Sequence, residues 1–303
     1  MGLLIGGPFL LPLPALEDTV PPRELAQADD RFTVVEGIEV RYRDLGGSGS
    51  TFVLFHGFGA NALSWEPVVE DLTALGRVIA FDRVGFGLTE RPLSWEGEHP
   101  YATMSQADLA LGLMDALAVD TATLVGHSAG ASGATISALE HPERVSGLIL
   151  ESPALDSGPG AITSFLLGTP QGQRIARFAA RRGAQRMNKL LASAYHDPAR
   201  ITDETLDGYR QPLRAENWDT GLARYTAAPR VRGIEARLPD LTVPLLIVTG
   251  DDDTWVPSKD TIALAESVPA ADLAVLEACG HVAHEECPDR FAEIVGDWMA
   301  GQR

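Results

Sequence analysis

LVGHSAGASGA, residues 124–134, is an apolar run that stops abruptly in small residues, with one serine, Ser128, held between Gly126 and Gly130. The run ATLVG (122–126) predicts a buried strand, and the stretch from Ala129 to Glu140 a helix. A strand that turns at once into a helix forces the residue between them into a strained conformation, and only small neighbours permit the close approach. Ser128 therefore has two readings: a nucleophile exposed on a sharp turn, or the N-cap of the helix, a common use of serine. The first needs more than the turn, because serine is a poor nucleophile at neutral pH without an adjacent base and a place for the developing oxyanion.

The surroundings of this stretch set the fold class. TFVLF (51–55), RVIAF (77–81), SGLILE (146–151), PLLIVTG (244–250) and DLAVLE (272–277) are short, apolar and β-branched like ATLVG, and predict strands buried on both faces. Helical periodicity fills the intervals, as in Met104–Leu117, where Leu109, Leu113 and Leu117 recur every fourth residue. Upstream, FTVVEG and IEVRYRD alternate around Gly37 as an antiparallel pair would. Strand–helix alternation implies an α/β fold with a mostly parallel sheet flanked by helices.

One segment breaks the rhythm. Residues 155–237 contain no convincing buried strand and read as several helices; they hold 13 basic and 8 acidic residues, net +5, against 11 basic and 34 acidic, net −23, elsewhere. A helical cap on an acidic body is the simplest account, dividing the chain into an arm (1–30), a core (31–154 and 238–303) and a cap (155–237). Within the cap, RIARFAARRGAQRMNKLL (174–191) reads as one helix with its arginines on a solvated face, apart from Ile175, Phe178, Met187 and Leu191.

Composition limits the partners. The 303 residues are 45% hydrophobic and 22% charged, an ordinary globular balance, with a net charge of −18 that repels phosphate backbones and excludes nucleic acid as a partner. Two cysteines, Cys279 and Cys287, are too few for a disulfide framework; the expectation is two free thiols and a cytoplasmic location. MGLLIGGPFLLPLPAL (1–16) is apolar, but it lacks a basic n-region, carries three prolines and three glycines, and is shorter than the roughly 20 residues of a spanning helix. It reads as an extended arm on the domain surface, without stable membrane insertion.

GHSAG (126–130) is a GxSxG nucleophile elbow in its strand–turn–helix context. With HGFG (56–59), DRVGFGLTERP (82–92), GDDDTWVP (250–257) and CGHVAHEECPDRF (279–291), in this order, the sequence resembles the α/β-hydrolase superfamily from about Phe32 to Trp298. The resemblance is nearest the capped serine esterase and C–C hydrolase branch, which implies an eight-stranded sheet with the cap inserted after the sixth strand. It also implies a triad of Ser128, His281 as base and Asp253 as the acid orienting it, with Asp251 as runner-up and Glu151 or Asp156 as more distant alternatives. The backbone N–H groups of Phe58 and Ala129 would form the oxyanion hole. Asp82, with Gly85 and Gly87, reads as structural. HVAHEE invites a metal reading, but no third ligand at suitable spacing supports it, so neither a metal nor an organic cofactor is expected.

The implied chemistry is attack on a carbonyl, an acyl-enzyme and its hydrolysis. Serine at the elbow disfavours the haloalkane dehalogenases and epoxide hydrolases of the same fold, which place aspartate there. The leading expectation is a carboxylesterase acting on a small-molecule ester with hydrophobic groups, with Phe58, Trp65, Phe165, Trp218 and Val282 as candidate pocket residues and a homodimer as a compatible assembly. The alternative within enzymes is C–C bond hydrolysis of aromatic ring-cleavage products. Many such enzymes carry an aromatic residue directly after the catalytic histidine, where this chain has Val282. The alternative from another class is a ligand-binding protein on a hydrolase scaffold.

Overall fold

Each apolar run serves two faces at once. In the computed structural model, which describes residues 13–302, Val53 and Phe55 pack in one core while Phe52 and Leu54 pack in another, on the opposite side of the same strand. Side chains alternate across a strand, so only a strand covered on both sides is apolar at consecutive positions.

Eight strands form one sheet: β1 (Arg31–Val35), β2 (Ile38–Asp44), β3 (Thr51–Phe55), β4 (Arg77–Phe81), β5 (Ala122–His127), β6 (Val145–Glu151), β7 (Leu245–Gly250) and β8 (Ala271–Leu276). Their order is β1-β2-β4-β3-β5-β6-β7-β8. β2 runs antiparallel to β1 and β4, and all later pairs are parallel. Helices Thr103–Ala116 and Gly130–Glu140 cover one face; Glu66–Leu75 and Pro288–Gly301 cover the other. The chain order reverses at β3, between β4 and β5, and open α/β sheets form their binding crevices at the C-terminal ends of strands beside such a switch. The HGFG loop after β3 and Ser128 after β5 meet there.

Three expectations need correction. DLAVLE is not buried on both faces: β8 is an edge strand, and Leu273 and Val275 are exposed. The arginine-rich cap helix is two helices, Pro170–Ala184 and Met187–Ala192, broken just after Gly183, a residue of low helix propensity. Nor is its arginine face merely solvated, since Arg177 and Arg181 reach the buried Asp219 carboxylate at 3.1 and 2.7 Å.

The third correction concerns the cysteines, which are paired: Cys279 and Cys287 form a disulfide across eight positions of chain. The short helix Ala283–Glu286 turns the chain back so that the two side chains meet. Among the described residues no helix is long and apolar enough to cross a membrane. Residues 1–12 of the expected arm lie outside the described residues; beyond them, Val20 bridges to Ala215 of the cap, and Leu25 is buried against Leu88 and Ala215.

The segment between β6 and β7 is helical among the described residues and is fastened to the loop after β8 by two buried acids. Glu286 accepts from the backbone N–H groups of Gly280 (2.7 Å), His196 (2.9 Å) and Asp197 (2.7 Å). Glu285 accepts from the hydroxyls of Tyr195 (2.8 Å) and Tyr209 (2.6 Å). Glu286→Gln places an amide donor against N–H donors in a dry site, and the expected loss is about 2–3 kcal/mol of stability by denaturant unfolding. An unchanged unfolding midpoint would show that the clamp is not needed.

Candidate active site

Ser128 lies in the left-handed region, at φ +50°, as the tight strand-to-helix turn demands. A Cβ added to Gly126 would stand 2.6 Å from Ala131 Cα, and one on Gly130 would stand 2.4 Å from the Phe55 carbonyl oxygen. Both positions therefore require glycine for close approach, and the serine projects from the turn. Its Oγ lies 3.0 Å from His281 Nε2, and His281 Nδ1 lies 2.8 Å from Asp253 Oδ2. The other carboxylate oxygen of Asp253 accepts from the N–H groups of Trp255 (2.8 Å) and Val256 (3.0 Å). Burial pushes the Asp253 carboxyl up, but the bond and charge of His281 and the Val256 amide outweigh it and hold the group below its ordinary value.

The alternative acids are engaged elsewhere. Asp251 Oδ1 accepts from Cys279 N at 3.4 Å, and Asp156 accepts from the N–H groups of Ile234 and Glu235. Glu151 meets His284 instead of His281: its carboxylate lies 2.7 Å from His284 Nδ1 and accepts from the His284 amide at 3.0 Å. Burial opposes charge on both partners, yet each offsets it for the other, so the His284 pKa is raised and the Glu151 pKa lowered.

His127 completes this cluster, bringing to His284 and Glu151 a third group with metal-ligating atoms that no spacing in the sequence reveals. Its Nε2 lies 3.0 Å from the carbonyl oxygen of His281, so it holds the backbone of that loop. Burial lowers its pKa to about 3, leaving a neutral ring. The Glu151 carboxylate is already directed at His284, and the arrangement is that of a buried ion pair with a neutral imidazole beside it.

Phe58 and Ala129 line one cavity of about 180 Å³, together with Arg83, Ser132, Tyr225 and Arg230. The other expected pocket residues do not line it. Trp65 is fully buried and stacks on His284 at 4.1 Å; Trp218 is buried in its helix; Val282 packs on Leu191, Ala194 and Tyr195; Phe165 is 75% exposed. A residue not singled out in the sequence takes a place at the site: the Trp255 ring stacks on His281 at 5.4 Å and 25°. Its position inside GDDDTWVP, two residues after Asp253, was the available signal.

Asp82 behaves as a structural residue. Its carboxylate accepts from the N–H groups of Ala62 and Leu88, both at 2.7 Å, and from Arg41 Nη1 at 3.2 Å. It thereby ties the loop after β4 to the one after β3.

Comparison with known proteins agrees with this architecture. The family described as "alpha/beta hydrolase fold" matches residues 50–288. The chain is 31% identical to a 2-hydroxymuconate semialdehyde hydrolase of Pseudomonas sp. (strain CF600), over 89% of this chain and 93% of that protein. A solved meta-cleavage product hydrolase from Pseudomonas fluorescens IP01 superposes with a TM-score of 0.71 at 26% identity, covering 90% of this chain and 98% of that one. A thermophilic esterase from Thermogutta terrifontis shares the fold, with a TM-score of 0.74 at 24% identity over 91% of this chain and 99% of that one. The chain belongs to the α/β-hydrolase family and is a hydrolase.

Proposed function

We propose that the protein hydrolyses a carbon–carbon bond in a carboxylate-bearing, conjugated oxo-dienoate of the kind produced by aromatic ring cleavage. The observation that carries this reading is the charge beside the oxyanion donors. Arg83 is buried, and among the described residues neither it nor Arg230 has a carboxylate partner. Both cations gather on Tyr225: Arg83 Nη1 lies 3.2 Å from its hydroxyl, and the Arg230 guanidinium lies 4.0 Å over its ring. Burial pushes the Tyr225 phenol up, but the two arginines overcome that and draw its pKa down. Two cations without carboxylates around a cavity favour an anionic ligand, because guanidinium groups bind carboxylates through strong charge-assisted bonds. The printed names of the relatives, 2-hydroxymuconate semialdehyde hydrolase and 2-hydroxy-6-oxo-6-phenylhexa-2,4-dienoate hydrolase among them, describe such anions.

In this reading Ser128 Oγ gives its proton to His281 Nε2 and attacks the oxo carbon, and the oxyanion is received by the N–H groups of Phe58 and Ala129. The C–C bond then breaks heterolytically. Because the proton of the 2-hydroxyl has first shifted to C5 of the dienoate, leaving that carbon saturated, the electron pair delocalises through the conjugated fragment onto the C2 oxygen as a dienolate, which the cationic cavity stabilises and His281 protonates. Water, deprotonated by His281, cleaves the acyl-enzyme and restores Ser128. The aromatic neighbour that Val282 does not provide comes from Trp255, from another loop.

Ester hydrolysis is the second reading, favoured by Val282 and served by the same triad. Initial rates on 2-hydroxymuconate semialdehyde, followed by loss of its visible absorbance, and on p-nitrophenyl butyrate separate the two. We expect kcat/KM for the dienoate to exceed that for the ester by about 100-fold; preference for the ester overturns the proposal. Arg230→Gln should raise KM for the dienoate by about tenfold or more and leave p-nitrophenyl acetate nearly unaffected.

A further inference from the structure

The first helix of the cap, Ala161–Gly168 (AITSFLLG), has no buried residue. Ile162, Phe165 and Leu166 are 79%, 75% and 56% exposed, although the helix packs on Pro170–Ala184 and Trp218–Ala227. An apolar helix that buries so little of itself contributes little to folding, and exposed apolar clusters mark contact with something else. The helix Pro170–Ala184, on which it packs, continues the pattern, since Ile175 is also exposed.

The charge around this helix is as uneven as its polarity. Residues 157–196 contain no Asp or Glu and six Arg or Lys, in a chain with 42 acidic residues. Asp219, outside that run, takes up Arg177 and Arg181, while Arg182, Arg186 and Lys189 remain exposed. A third feature converges here. The uncharged stretch 13–16 reaches the helix Pro170–Ala184, where Pro14 O accepts from Arg181 Nη1 at 2.7 Å.

From this combination we infer that the helix Ala161–Gly168 and the basic, acid-free chain that follows it to residue 196 form a docking surface for an anionic lipid bilayer, on which the enzyme adsorbs without spanning. Apolar side chains beside lysine and arginine are the composition of interfacial helices, whose apolar groups enter the headgroup boundary while the cations meet anionic lipids. The net charge of −18 does not prevent this, because salt screens charges beyond about 8 Å and residues 157–196 contain no Asp or Glu. The surplus on the body turns the cap towards the anionic surface. The inference is independent of which bond the enzyme cleaves, and adsorption is measured without substrate.

The test is flotation of the full chain with vesicles of phosphatidylcholine alone and of phosphatidylcholine mixed with phosphatidylglycerol. Wild type should float with the anionic vesicles and not with the neutral ones, with binding reduced by added salt. Binding should fall by about tenfold or more in Ile162→Ser/Phe165→Ser/Leu166→Ser and in Arg182→Glu/Arg186→Glu/Lys189→Glu. The charge variant should keep wild-type turnover of a soluble substrate, and both should keep the wild-type circular dichroism spectrum. Failure of wild type to float, or undiminished flotation of the two variants, overturns the inference. It is equally overturned if binding survives both variants but is lost on removing residues 1–12, or if wild type is a dimer that the triple serine variant dissociates while neither floats.

Discussion

Ser128→Ala should remove turnover of both the dienoate and p-nitrophenyl butyrate by a factor on the order of 10⁴ to 10⁶, the range seen when the nucleophile of a triad is deleted in other serine hydrolases. The size follows from what remains. Without Oγ, His281 has no hydroxyl proton to accept, no acyl-enzyme forms, and only the cavity and its oxyanion donors can assist water. Stability should change by less than about 1 kcal/mol, because the lost hydroxyl pairs with His281 and alanine meets the same strain at φ +50° as serine. Turnover within tenfold of wild type, with an unchanged unfolding midpoint, would assign the chemistry to another group.

The second large effect is expected at the acid. Asp253→Asn should lower kcat by about 10⁴, by analogy with the same change in a serine protease triad. Asparagine can keep one oxygen towards the N–H groups of Trp255 and Val256, which fixes its amide nitrogen facing His281 Nδ1. Two donors cannot face one another, so Nδ1 becomes the acceptor and Nε2 carries the proton. Nε2 is the atom 3.0 Å from Ser128 Oγ, and in that tautomer it cannot act as a base. Asp251→Asn should stay within a few-fold of wild type, because its carboxylate is turned to the Cys279 amide at 3.4 Å and not to His281. If Asp251→Asn is the crippling change, the roles of the two aspartates are exchanged.

Glu151 tests how far position alone misleads. It ends the strand beside the one that leads into Ser128, where an acid could face His281, but its carboxylate is spent on His284. His284 in turn lies under Trp65, an aromatic expected in the pocket. Both residues belong to the support behind the loop that carries His281, and the difference between support and site lay in side-chain direction.

Much of the fold was legible because its signals are local. The strands β3 to β7 announce themselves as continuous apolar runs since each is covered on both faces, and the turn at Ser128 is written in the two glycines that let the helix approach. β8 reads in the same way and is half exposed, because it lies at the edge of the sheet among the described residues; nothing in DLAVLE records that position. The break after Gly183 is another local feature that periodicity overran.

By itself, the sequence determined the α/β class, the serine at the strand-to-helix turn, the order of the motifs and the electrostatic division between cap and body, all of them properties of neighbouring residues or of counts. Tertiary structure decided which of three aspartates faces His281, that Cys279 and Cys287 meet, and that Glu285 and Glu286 grip a cap segment some 90 positions away. It also decided that two arginines, Arg83 from the loop after β4 and Arg230 from the segment between β6 and β7, share one cavity. The physical reason is common to these cases: a partner's identity depends on side-chain direction and on chain segments brought together only by packing, and neither leaves a periodic trace along the chain.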